Sequence, residues 1–179
     1  MQAIVVDNFF DNFHNIENHF KKIPLYSLKE FNKKFNVKNT WPGYRSQDLS
    51  EYNPFFYNLI VKEIFQKFPI PYFMQGRISM HAHLHLKTET SDADWIHRDS
   101  SVCEKTLLVF LSKTNLKSGT CFYENNSGDT PSTTVNFVQN RALLFDADIR
   151  HTGLLSYGKD VNDGRLTLNC FIRKDNNGN

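Results

Sequence analysis

His97, Asp99 and His151 have the residue types and order of a divalent-metal site, and Arg165 follows them with a charge that an anion would answer. Two imidazoles and one carboxylate form the facial triad of non-haem Fe(II) centres, which leaves coordination positions open for small molecules. On a strand, His97 and Asp99 would share one face, because strand side chains alternate. The tripeptide alone is weak, since His-x-Asp occurs by chance and reads equally as two polar loop residues. Arg165 strengthens it. In the stretch it opens, Arg165, Thr167, Asn169 and Phe171 share one face, while Leu166, Leu168, Cys170 and Ile172 share the other. The apolar face must pack on core. The other lines solvent or a polar cavity, and a guanidinium in a cavity needs an anion to offset its lost hydration. A carboxylate fits the arginine fork, and Thr167 can add a second donor. The competing reading is an exposed edge arginine.

The elements that must position these residues fall into two parts. The first, residues 1–76, reads as mainly helical support. Ala3 to Val6 suggests an edge strand, and Asp7 a cap for a helix carrying Phe9, Phe10, Phe13, Ile16 and Phe20 on one stripe. Pro24 closes that helix. Pro54 opens a second, with Phe55, Phe56, Leu59, Ile60, Ile64 and Phe68, and Pro69 stops it. Trp41 to Ser46 has turn chemistry and reads as a loop, and with Tyr44 and Arg45 it is long enough to cover a pocket mouth and contact a substrate. From Arg77 the period becomes two: Ile78, Met80, Ala82, Leu84 and Leu86 alternate with His81, His83, His85 and Lys87, a half-buried strand. Further strands are expected at Thr106–Leu111, Thr120–Tyr123, Thr133–Val138, Ala142–Phe145 and Arg165–Arg173, and a frayed tail at Asp175–Asn179. Helices followed by short antiparallel strands predict an α+β domain with a jelly-roll core over residues 77–173.

Composition bounds the rest. The 179 residues suit one domain with a real core; 40% hydrophobic and 22% charged content is ordinary for a globular protein, and sixteen Phe promise an aromatic interior. A net charge of +2 is too small to argue for nucleic acid. Cys103, Cys121 and Cys170 are odd in number and lack a CxxC spacing, so free buried thiols in a reducing compartment are expected. No signal peptide or membrane-length apolar run is evident, and Asn125-Asn126-Ser127 is a sequon with meaning only after secretion. The expectation is a cytoplasmic protein. His81, His83 and His85 on one strand face read first as a polar face, with cosubstrate contact or a second metal as alternatives. Trp95 could wall a pocket or pack in the core.

His97-x-Asp99, Gly119-Thr120-x-Phe122, Asn140-Arg141-x-Leu143-Leu144-Phe145, His151 and Arg165-x-Thr167 come in an order that resembles the Fe(II)/2-oxoglutarate-dependent oxygenase superfamily, in its prolyl-4-hydroxylase-like branch. The likeness covers roughly residues 77 to 173. It implies a double-stranded β-helix, iron held by His97, Asp99 and His151, and 2-oxoglutarate held by Arg165 with Thr167. It implies O₂ as co-reactant, hydroxylation of a protein side chain (prolyl among them) or a small metabolite, and succinate and CO₂ as coproducts. Members of that branch often set tyrosines beside the cosubstrate; this chain has Phe110 and the histidine strand near those places, which brings His81 or His83 forward. The rival class is a non-catalytic cupin-like metal-binding jelly roll, in which Arg165 is structural.

Overall fold

Alternation along Met80–Lys87 makes the pivotal strand, β4, whose Met80, Ala82, Leu84 and Leu86 are buried on one face while His81, His83, His85 and Lys87 take the other. The computed structural model describes residues 3–68, 79–124 and 128–173. The expectations for Pro69, Arg77, Ile78, the sequon and the C-terminal tail lie outside those residues. β4 belongs to a seven-stranded antiparallel sheet ordered β1 (Ile4–Val6), β8 (Ala142–Asp146), β5 (Cys103–Phe110), β10 (Arg165–Arg173), β4, β3 (Tyr44–Arg45) and β2 (Tyr26–Ser27). A second sheet is ordered β7 (Thr133–Phe137), β6 (Asn115–Tyr123) and β9 (Arg150–Leu154). The predicted α+β jelly-roll is the observed fold, and β1 is an edge strand as expected.

Two apolar layers hold it. One face of the large sheet, with Ala82, Leu84, Leu107, Val109, Leu144, Leu166 and Leu168, packs against the helical layer. The other turns toward the small sheet, where Leu108, Phe110, Phe122, Phe137, Leu143 and Phe145 form a smaller cluster. The helical layer comprises α1 (Phe13–Phe20), α2 (Leu28–Phe35), α3 (Leu49–Tyr52) and α4 (Pro54–Lys67). Pro54 opens α4 at its first turn, and the Asn53 side chain accepts from Phe56 N at 3.0 Å. Phe56, Ile60 and Ile64 then bury one stripe, each worth about 1.5–3 kcal/mol on removal from water.

Three readings change. Asp7 does not cap α1. The helix begins only at Phe13, with Asn12 at its cap position, and Asp7 instead holds Arg141 through bonds of 2.6 and 3.0 Å. Phe9 and Phe10 reach the core from an irregular segment pinned by Asn140, whose amide accepts from Phe10 N and donates to Phe10 O, both at 2.9 Å. Second, β2, β3, β9, α2 and α3 appear where no element was expected. Third, His97 and Asp99 are not on a named strand; they lie between β4 and β5, with only an isolated bridge pairing His97 to His151. The three cysteines are free and buried, as expected. Among the described residues no helix is long and apolar enough to cross a membrane.

Candidate metal centre

Two short backbone links bring the triad together. His97 N donates to His151 O at 3.0 Å and His151 N returns a bond to His97 O at 2.9 Å, which sets the loop against β9. Asp99 N donates to Ala147 O at 2.9 Å, fixing the carboxylate two residues on. One ligand atom from each of His97, Asp99 and His151 then lies within 4.8 Å of the others. His97 Nε2 is 3.9 Å from Asp99 Oδ1, and His151 Nε2 is 3.8 Å from Asp99 Oδ2. These separations are too long for hydrogen bonds and short enough for one ion to bridge.

The surroundings prepare the three groups to ligate. His97 Nδ1 lies 2.9 Å from Trp95 O, and His151 Nδ1 lies 2.9 Å from Ile149 O. A carbonyl can only accept, so each Nδ1 carries the proton and each Nε2 is left with its lone pair. Burial pulls His151 below the ordinary imidazole pKa, against the attraction of Asp99, and so favours the neutral, ligating form. Thr106 donates its hydroxyl to Asp99 Oδ2, orienting the carboxylate. The donor set of two lone-pair nitrogens and one oriented carboxylate fits a divalent metal with open positions.

Arg165 sits in the same cavity, of about 570 Å³, enclosed by the histidine face of β4, the polar face of β10 and the loop that carries His97. It is only 4% exposed, so its charge is out of water. Its Nη2 donates to Gly119 O at 2.9 Å, while its Nε is buried without a hydrogen-bond partner. Phe110 and Phe137 lie 6.0 and 5.5 Å from the guanidinium carbon and give it π faces, not an anion. Lys87 and Asp94 neutralise one another nearby at 2.6 Å, and Asp94 also accepts from Gly153 N at 3.1 Å. An orphan N–H on a buried cation is what a carboxylate would satisfy. The residues present therefore fit a carboxylate-bearing cosubstrate as well as a metal.

Thr167 lines the cavity as expected, but its hydroxyl is already engaged, 2.7 Å from Asn169 Oδ1 and 3.3 Å from His85 O. Among the described residues two buried hydroxyls have no hydrogen-bond partner, those of Thr120 and Tyr157, and of these Thr120 is on the lining. Thr120 stood in the sequence motif without a role; only its missing partner singles it out. The three β4 histidines line the cavity, with His85 buried and the His81 side chain 44% exposed at its edge. His85 Nε2 is 2.6 Å from Pro42 O, His83 Nδ1 is 3.1 Å from Ser46 O, and His81 pairs with Asp48. Trp95 is 49% exposed on the cavity wall, not core.

No family model matches the chain, and no curated protein matches it in sequence. Solved structures do match. HygX from Streptomyces hygroscopicus, with nickel and 2-oxoglutarate bound, aligns at TM-score 0.64 and 12% identity, over 97% of this chain and 83% of that one. The non-haem α-ketoglutarate-dependent epimerase SnoN from nogalamycin biosynthesis aligns at 0.58 and 12% identity, over 96% and 78%. A Pseudomonas putida prolyl-4-hydroxylase aligns at 0.53 and 11% identity, over 96% and 92%. This chain shares their fold. The double-stranded β-helix expected from the motif order is thus shown by the likeness, at identities that carry the fold alone.

Proposed function

We propose that this protein is an Fe(II)- and 2-oxoglutarate-dependent dioxygenase that hydroxylates a small metabolite or a protein side chain, with O₂ consumed and succinate and CO₂ released. The observation that carries this reading is one cavity holding both the His97–Asp99–His151 cluster and a buried Arg165 whose Nε has no partner. A cupin-like metal site would explain the first and leave the second as an uncompensated cost.

In this reading His97 and His151 hold Fe(II) through Nε2, and Asp99 through its carboxylate, with Thr106 and the two backbone carbonyls fixing their orientation. Arg165 Nε pairs with the distal carboxylate of 2-oxoglutarate, and the Thr120 hydroxyl supplies a further bond. Thr167 positions Asn169 rather than the cosubstrate. The iron and cosubstrate, when bound, supply the oxidising power for the substrate C–H bond. The chain's own side chains bind, orient and exclude water, and none is needed as general acid or base. The cavity wall of Trp41, Trp95 and Phe171 leaves space beside the metal cluster for a primary substrate.

Titrating 2-oxoglutarate into the Ni(II)-loaded protein tests the reading. Arg165→Ala is expected to weaken cosubstrate binding by at least about 30-fold, as for loss of one partner of a buried charge pair, with Ni(II) affinity unchanged. Equal 2-oxoglutarate affinity in wild type and variant would reject it.

A further inference from the structure

Arg45 has no part in that site, and its chemistry is unanswered. It lies on β3, opposite His85 of β4, which is itself opposite Thr167 of β10, so it extends the polar face of the sheet beyond the cosubstrate end. Its guanidinium stacks on Trp41, 4.8 Å from the ring centroid, and its Nε is buried without a hydrogen-bond partner. Burial pushes it down to about 10, against attraction from Asp99 and Asp94. No acid forms an ion pair with it among the described residues. His83 and His85 on β4 are held neutral, and Asp48, at the cap of α3, is engaged with His81.

The charge of the whole cavity points the same way. Among the described residues, six lysine and arginine side chains line it, against the two acids Asp94 and Asp99. Lys87 is matched by Asp94. Under the proposed function, the charges of Fe(II), Asp99, 2-oxoglutarate and Arg165 sum to zero, with Arg165 on the distal carboxylate. Arg45 remains inside the cavity without an ion-pair partner among the described residues, its guanidinium over the Trp41 ring. We propose that Arg45 is the anchor for the primary substrate, which is a small organic oxyanion, a carboxylate or phosphate ester, bound beside the metal with its anionic group paired to the Arg45 guanidinium. This rests on the oxygenase reading for the identity of the ligand as substrate. A concave cavity of about 570 Å³ suits a small molecule rather than a protein surface.

The test uses protein loaded with Ni(II) and 2-oxoglutarate, and the probes phenyl phosphate, benzoate and neutral benzamide, measured by calorimetry. At least one anion is expected to bind at least about tenfold tighter than benzamide, and Arg45→Gln to remove that advantage, as for a lost bidentate pair. The stronger anion tells phosphate ester from carboxylate. Affinity for 2-oxoglutarate should be the same in Arg45→Gln and wild type. Arg45→Lys, which keeps the charge and loses the fork, should retain part of the preference and guards against a folding defect in the glutamine variant. Equal binding of all three probes, or no anion binding to wild type, overturns the proposal. So does loss of 2-oxoglutarate affinity in Arg45→Gln, which would assign Arg45 to the cosubstrate. If 2-oxoglutarate fails to bind wild type while an anion still binds through Arg45, the oxygenase reading fails and the anion site stands.

Discussion

His85 is buried and His83 largely so, and that sets their charge. Burial, reinforced by Arg45, pushes His83 down to about 4 and His85 well below its usual 6.5. In the unfolded chain both take a proton near pH 6.5. Between about pH 6.5 and 4 the unfolded state therefore binds more protons than the folded one, and stability falls as the pH drops through that window. His83→Gln should flatten the fall by an amount on the order of 1–3 kcal/mol, read from urea midpoints at pH 7 and pH 4.5. A pH slope identical to wild type would mean His83 is protonated in the fold. The same scale shows what a sequence can reveal. His97, Asp99, His151 and Arg165 could be picked out as candidates because their types and order resemble a known family's motifs. Thr120 was not, and Arg45 stood out only as part of a loop able to cover a pocket, because what distinguishes them is a missing partner, which exists only in three dimensions.

At the scale of elements, the metal cluster depends on a loop more than on a strand. The period-two rule would put His97 and Asp99 on one face of a strand, but the bonds that hold them come one at a time from β9 and from Ala147. Gly153 on β9 is the tight point. A Cβ there would strike Asp94 Oδ2 and approach the Arg165 guanidinium to 3.4 Å. Gly153→Ala should push Asp94 away from Lys87 and Arg165, and weaken 2-oxoglutarate binding by roughly tenfold while Ni(II) affinity holds. Calorimetry checks both; unchanged cosubstrate affinity would show that the Asp94 arrangement does not position Arg165. The helices teach a related lesson. The capping box of Ser27 and Glu30 marks α2, and Leu28, Phe31 and Phe35 give it an apolar stripe, but its 8 residues hold a shorter pattern than the 14 of α4. α1 was misplaced because Phe9 and Phe10 imitate helical spacing while Asn140 pins them in an irregular segment.

Across the whole molecule, the large sheet divides the work. Its Leu-, Ala- and Ile-bearing face is sealed by the helices, which makes β4, β5 and β10 a stiff platform. Its polar face then points toward the small sheet, where the metal cluster, Arg165 and Arg45 converge on one cavity. This division was readable from the alternation of β4 and β10, because a strand with one wholly apolar face must be covered on that side. What faced the polar side was not readable, since solvent and a lined cavity favour the same residues. The most direct measurement is anaerobic: Fe(II), then 2-oxoglutarate, added to metal-free protein, followed by visible absorption, with Asp99→Ala alongside. The account predicts a metal-to-ligand charge-transfer band in wild type that Asp99→Ala removes. Iron bound by wild type with no band on adding 2-oxoglutarate would contradict it.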